Sequence, residues 1–228
     1  MRRILHGLAL VTAVTIPASP SVAAPPVPSA SVAPADGKTS WWDLLRALNS
    51  TKYPGFSAIS HFTAPGAGPD TARPDDPCTD AAPVGAEPSE ATGTAGPVAS
   101  VTLQKGDDGP TVSETLTAVG AEAAGDTVEQ IEEILDRCPV TEDDAYRTTF
   151  SRWAAPEVGD ASVGYTLVIE SKAADRPSVS FTTAVVAHDD VLAHFTMTDG
   201  EAADAAQLKK IVRNGTRELA DISTVPPT

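Results

Sequence analysis

The sequence predicts an α+β domain: a mainly antiparallel β-sheet with two main helices packed on it, preceded by a short N-terminal helix. Three observations predict this. Four segments with strand character follow one another between residues 146 and 198. Two amphipathic helical patterns flank them, one ending at Cys138-Pro139 and one opening near Asp199. Short breaker clusters separate the segments, as turns between antiparallel neighbours require.

Taken in chain order, residues 1–23 have the plan of a cleavable export signal. Arg2 and Arg3 precede an apolar stretch from Ile4 to Ile16, and the small residues Ser21-Val22-Ala23-Ala24 offer the cleavage site. The apolar run is too short to span a bilayer, which takes roughly 20 residues. No cysteine lies near the site, so the released protein is expected to be secreted and extracytoplasmic, not lipid-anchored and without a membrane span. Residues 24–38 are rich in Pro, Ala and Ser and read as a linker. One domain is expected over 39–223, followed by a tail, 224–228.

Within that domain Ser40 is placed to cap a helix over 41–48, with Trp41, Leu44, Leu45 and Leu48 at helical spacing. Tyr53-Pro54-Gly55-Phe56 ends it. Residues 64–97 hold dense Pro, Gly, Ala and Asp and predict a long irregular stretch. Val98 to Leu103 alternates as a strand, 105–110 reads as a turn, and 111–119 fits a second strand or an early helix. Asp126 with Glu129 predicts a helix start, and Val128, Ile131, Leu135 and Cys138 line one face. Strands are expected at 146–153, 162–170, 178–188 and 191–198, the last two joined by Asp189-Asp190. Ala205, Leu208, Val212, Gly215, Leu219 and Ile222 mark the apolar face of the closing helix.

The formal charge is -15, and it becomes -17 without Arg2 and Arg3. Such a chain is expected to be soluble and repels polyphosphate backbones and anionic lipid, so neither nucleic-acid nor membrane-surface binding is expected. Cys78 and Cys138 are the two cysteines, and an even count in an exported chain predicts a disulfide between them.

Chemistry is harder to find. The sequence lacks the G-x-S-x-G, H-E-x-x-H and phosphate-loop patterns, and its acidic pairs fall in expected turns. His61, His188 and His194 survive signal removal. With a two-residue turn at 189–190, His188 and His194 point to opposite faces of the sheet, which argues against a shared metal. Neither a metal nor a cofactor is expected.

The layout itself resembles a known family. Leu44-Leu45-Arg46-Ala47-Leu48 through Tyr53-Pro54-Gly55-Phe56, a loop cysteine, a helix ending in Cys138-Pro139, four strands and a long final helix are similar to the PknH-like extracellular sensor domains of actinobacteria. The resemblance spans residues 40–222. It implies an α+β fold with a groove between sheet and helices that binds an envelope ligand. This chain has cysteines for one disulfide where the kinase-linked domains carry two, and it has no kinase. The expectation is a secreted, non-enzymatic, monomeric domain that binds an envelope ligand or protein. Trp41, Trp42, Phe56, Tyr165 and Phe195 are the candidate groove residues. The alternatives are an exported hydrolase with an atypical site and a structural or inhibitory surface protein.

Overall fold

A computed structural model describes residues 39–50, 53–64, 96–173, 176–198 and 204–223, all within one compact unit, Ala33–Thr228. The export signal and the linker expected over 1–38 lie outside the described residues, as do Cys78 and the tail. The elements are α1 (Trp41–Ser50), β1 (Phe56–Ala64), β2 (Val98–Lys105), β3 (Thr111–Ala118), α2 (Ala121–Arg137), β4 (Val140–Glu142), β5 (Tyr146–Arg152), β6 (Ala161–Ser171), β7 (Val179–His188), β8 (Val191–Thr198) and α3 (Ala205–Ser223). Every strand pairing is antiparallel, in one sheet of order β1-β2-β3-β8-β7-β6-β5-β4.

Local chemistry explains the boundaries. Ser40 and Asp43 cap α1 reciprocally: Asp43 N donates to Ser40 Oγ at 3.3 Å, and Ser40 N donates to Asp43 Oδ2 at 3.1 Å. The chain then turns at Gly55, whose φ of 82° suits glycine, and enters β1. The helix expected to start at Asp126 starts five residues earlier. Gly120, with φ 90°, sets the corner, and the N–H groups of Val119 and Gly120 both donate to the Asp190 carbonyl at 2.9 and 3.0 Å. That anchor to the β7–β8 turn replaces a side-chain cap. In the same turn the Asp190 carboxylate accepts from Thr39 N at 2.8 Å and from Thr39 Oγ1 at 2.5 Å, which ties the start of the domain to the end of β7.

Strand alternation divides the core in two. On one face α1 and α3 pack over Val101, Leu103, Val112, Leu116, Ala184, Val186, Phe195 and Met197. On the other, α2 brings Ala124, Val128, Ile131, Ile134 and Leu135 against Val163, Tyr165, Leu167, Val185 and Leu192. The two main helices therefore lie on opposite faces of the sheet. His188 pairs with Val191 and Val185 with His194, the two-residue register that the sequence implies.

Cys138 closes α2, donating its N–H to Ile134 O at 2.8 Å, and is buried in the α2-side core. Pairing with Cys78 stays an expectation with a direct check. Thiol titration of the denatured, unreduced chain should find no free thiol, and two titrating thiols would refute the bridge.

Candidate functional site

The α2 side of the sheet is covered unevenly. α2 packs over β5, β6, β7 and β8. Beyond it, β2 presents Ser100, Thr102 and Gln104, which stand opposite Thr115, Ser113 and Thr111 of β3. Those three in turn face His194, Thr196 and Thr198 of β8. Ser60 and Phe62 of the edge strand β1 extend the rows, Phe62 half exposed. Because directly paired residues share a face, this is one continuous polar surface. All nine residues on β2, β3 and β8 are half-buried, and none of them carries a formal charge at neutral pH.

Some of these groups satisfy one another. Thr111 Oγ1 is hydrogen-bonded to Thr198 Oγ1, Thr196 Oγ1 lies 3.4 Å from Thr183 Oγ1, and Gln104 Nε2 donates to Asp107 O at 2.8 Å. Among the described residues, no hydrogen bond takes up the hydroxyls of Ser100, Thr102, Ser113 and Thr115 or the imidazole of His194. Burial pushes the His194 pKa down to about 4, so at pH 7 the ring is neutral and offers one donor and one acceptor. Uncharged donors and acceptors in a two-dimensional array suit a ligand of the same kind, one bearing hydroxyls or amides.

Under α3 lies a different group. Glu114 on β3 is fully buried, with Tyr53 Oη donating to its Oε2 at 2.9 Å and Oε1 left without a partner among the described residues. Desolvation, opposed by the Tyr53 hydrogen bond and reinforced by Glu218 nearby, raises its pKa to about 7. The close approach of α3 depends on Gly215: a Cβ there would lie 2.7 Å from Phe195 Cε1 and 2.9 Å from Glu114 Oε1. Trp153 Nε1 and both ring nitrogens of His188 are likewise buried without a hydrogen-bond partner among the described residues.

The candidate groove residues do not share one surface. Trp41 and Trp42 stack on α1 at 3.9 Å between ring centroids, with Trp42 58 % exposed. Phe56 packs against the edge of the α1/α3-side core, and Phe195 is wholly inside it. Tyr165 is fully buried on the opposite face, near Phe150 at 6.4 Å. Strand parity separates them: Tyr165 pairs with Thr183 and Thr183 with Thr196, the neighbour of Phe195 that points the other way. Tyr165 and Phe195 are both fully buried, each within the core cluster on its own face of the sheet.

The hydroxyl rows and Glu114 both went unread in the sequence. Glu114 stands at the parity of Val112 and Leu116, and a carboxylate in phase with core residues is itself a signal of a buried acid. His61 is exposed on β1, and His188 Nε2 lies 3.9 Å from Asp189 Oδ2 on the face opposite His194. Among the described residues no three His, Cys, Asp or Glu side chains gather as a metal site.

No protein-family model and no curated protein matches the chain. Solved structures similar to it include the following two. One is an uncharacterized protein (an Rv0999 ortholog) from Mycobacterium smegmatis, 12% identical, with a TM-score of 0.50 over 82% of this chain and 99% of that one. The other is the extracellular domain of PknH from Mycobacterium tuberculosis, 13% identical, with a TM-score of 0.44 over 79% of this chain and 91% of that one. At these identities the likeness is one of fold: the chain shares the fold of the Mycobacterium smegmatis protein and is similar to the PknH domain, of the family that its sequence layout resembles.

Proposed function

We propose that this chain is an exported, non-catalytic, monomeric binding domain of the cell envelope that holds a neutral, hydroxyl-bearing ligand, such as an uncharged oligosaccharide, against β2, β3 and β8. The observation that carries this reading is the charge-free array of half-buried hydroxyl, amide and imidazole groups in a chain whose formal charge is -15. A surface kept only for solubility would hold its share of the 31 Asp and Glu residues. Free hydroxyls on three neighbouring strands can instead exchange water for ligand hydroxyls in a fixed pattern. The signal-like residues 1–23 support export.

Calorimetry with neutral glycans checks the reading. The Thr102→Val/Thr115→Val variant loses two hydroxyls at nearly constant shape, and at about 1 kcal/mol for each hydrogen bond it should bind roughly tenfold or more weakly. Equal affinity in the variant, or binding of charged glycans alone, refutes the assignment.

The nearness of Glu218 to Glu114, whose own acidity is perturbed, is the one observation that favours a hydrolase, since a pair of carboxylates can act as acid and base. Glu114 has no exposed surface, however, and Phe195 and Gly215 close over it. Hydrolysis of envelope glycans that disappears in Glu114→Gln would restore that reading.

A further inference from the structure

α3 turns Leu208, Ile211, Val212, Gly215 and Leu219 toward the sheet. On its opposite, exposed side stand Lys210, Arg213 and Arg217, three and then four residues apart, which places them on one stripe. The chain has 31 acidic residues against 16 basic ones, so a cation usually finds a carboxylate. Arg137 pairs with Glu133 at 2.6 Å, Arg152 with Asp136 at 2.8 Å, Lys172 with Glu142 at 3.4 Å and Arg147 with Glu142 at 3.5 Å. Among the described residues Lys210, Arg213 and Arg217 have no such partner. A cluster left unpaired amid an excess of acid is positioned to meet negative charge from outside.

The neighbouring helix adds an apolar anchor. α1 packs against α3, and its outer side carries Trp42, 58 % exposed, stacked on Trp41. Arg46 follows Trp42 by one turn; it is 60% exposed but already lies 3.9 Å from the Asp43 carboxylate, so it adds less than the α3 cations. An exposed indole on a helix packed against one that carries unpaired cations matches the interface of a bilayer, where the ring settles at headgroup depth and the cations meet phosphates. A soluble polyanion would engage the cations but leave Trp42 in water.

We infer that the outer surface of α1 and α3 docks on an anionic phospholipid bilayer through Lys210, Arg213, Arg217 and Trp42. The net charge of -15 alone argues against this, but charge acts locally. At physiological ionic strength the Debye length is about 8 Å, so the stripe sees a surface it faces while carboxylates elsewhere are screened from it. Docking is consequently orientation-specific and salt-sensitive. It also leaves the hydroxyl face of the sheet turned away from the bilayer, although the inference does not depend on what that face binds.

Cosedimentation tests it with a chain starting at Ala24, which keeps the whole compact unit 33–228. The vesicles are phosphatidylcholine alone, or equal parts of phosphatidylcholine and phosphatidylglycerol. Binding is expected to the second only, and it should fall as salt rises. At about 1 kcal/mol for each basic residue near the surface, the Lys210→Gln/Arg213→Gln/Arg217→Gln variant should bind at least tenfold more weakly. All three positions are exposed, so the variant should keep its melting temperature. Trp42→Ala should bind several-fold more weakly while keeping the salt dependence. Absence of binding to the anionic vesicles, equal binding to both vesicle types, or unchanged binding by the triple variant overturns the proposal. So does binding of inorganic polyphosphate without binding of vesicles.

Discussion

Replacing Glu114 by glutamine will stabilise the domain at pH 8 by about 3 kcal/mol and leave its stability little changed near pH 4. The carboxyl is sealed between β3 and α3, facing Tyr53 from the turn after α1, Glu218 from α3, Phe195 from β8 and Val101 from β2. None of these is a cation, and among the described residues the Tyr53 hydrogen bond offsets only part of the cost of a buried charge. The folded pKa, about 7, lies above the ordinary 4.5, which fixes the sign. The favourable contribution of the neutral acid is complete below pH 4.5 and disappears as pH rises through 7. Denaturant melts from pH 4 to 8 should therefore show stability falling with pH in the parent and a flatter profile in Glu114→Gln. Parallel profiles would mean that Glu114 ionises freely and is hydrated in the folded state.

Gly215→Val is the second large effect, a loss of about 2 to 3 kcal/mol. In an exposed helix interior, replacing glycine usually helps, because glycine costs roughly 1 kcal/mol relative to alanine. Here the new Cβ would lie 2.7 Å from Phe195 Cε1, 2.8 Å from Phe195 Cζ and 2.9 Å from Glu114 Oε1. Both neighbours are fully buried, and in an interior packed as densely as a protein core, moving them aside costs energy. A second substitution, Glu114→Ala, removes one of the two obstructions and should restore part of the lost stability. An unchanged denaturation midpoint for Gly215→Val would show that α3 rides higher on the sheet than these contacts require.

The parts of the fold that could be read from the sequence are those where one side chain pattern had one meaning. Val163, Tyr165, Leu167 and Ile169 alternate without interruption, and β6 occupies Ala161–Ser171. The Asp189-Asp190 link fixed the register of β7 and β8, and with it the opposite orientations of His188 and His194. β1 was not legible. Its register shifts between Ala58 and Ser60, which breaks the period of two, and its residues are mostly small or polar because it lies at the sheet edge. The start of α2 was misread for a related reason. Asp126 and Glu129 form a plausible cap in isolation, but the Asp190 carbonyl, distant in sequence, already holds the true start. The site was hidden by the ambiguity of threonine, which serves strand propensity as well as binding. Only the strand order, which sets β2, β3 and β8 side by side or in sequence across β3, turns separate Ser and Thr positions into a surface.

The position of β8 also constrains when this protein can fold. The sheet order consists of two meanders, β1-β2-β3 and β4 to β8, and they join at a single seam, β3 against β8. Thr111 meets Thr198 across that seam, so the pairing waits for residues 191–198, near the end of the chain. Until then β3 and β7 each expose an unsatisfied edge, and closing the seam requires the slow, long-range search that high contact order imposes. Under the export proposed above, a chain threaded through a translocation pore in an extended form would benefit from that delay, because the N-terminal strands cannot lock into a finished sheet before the C-terminal ones have crossed.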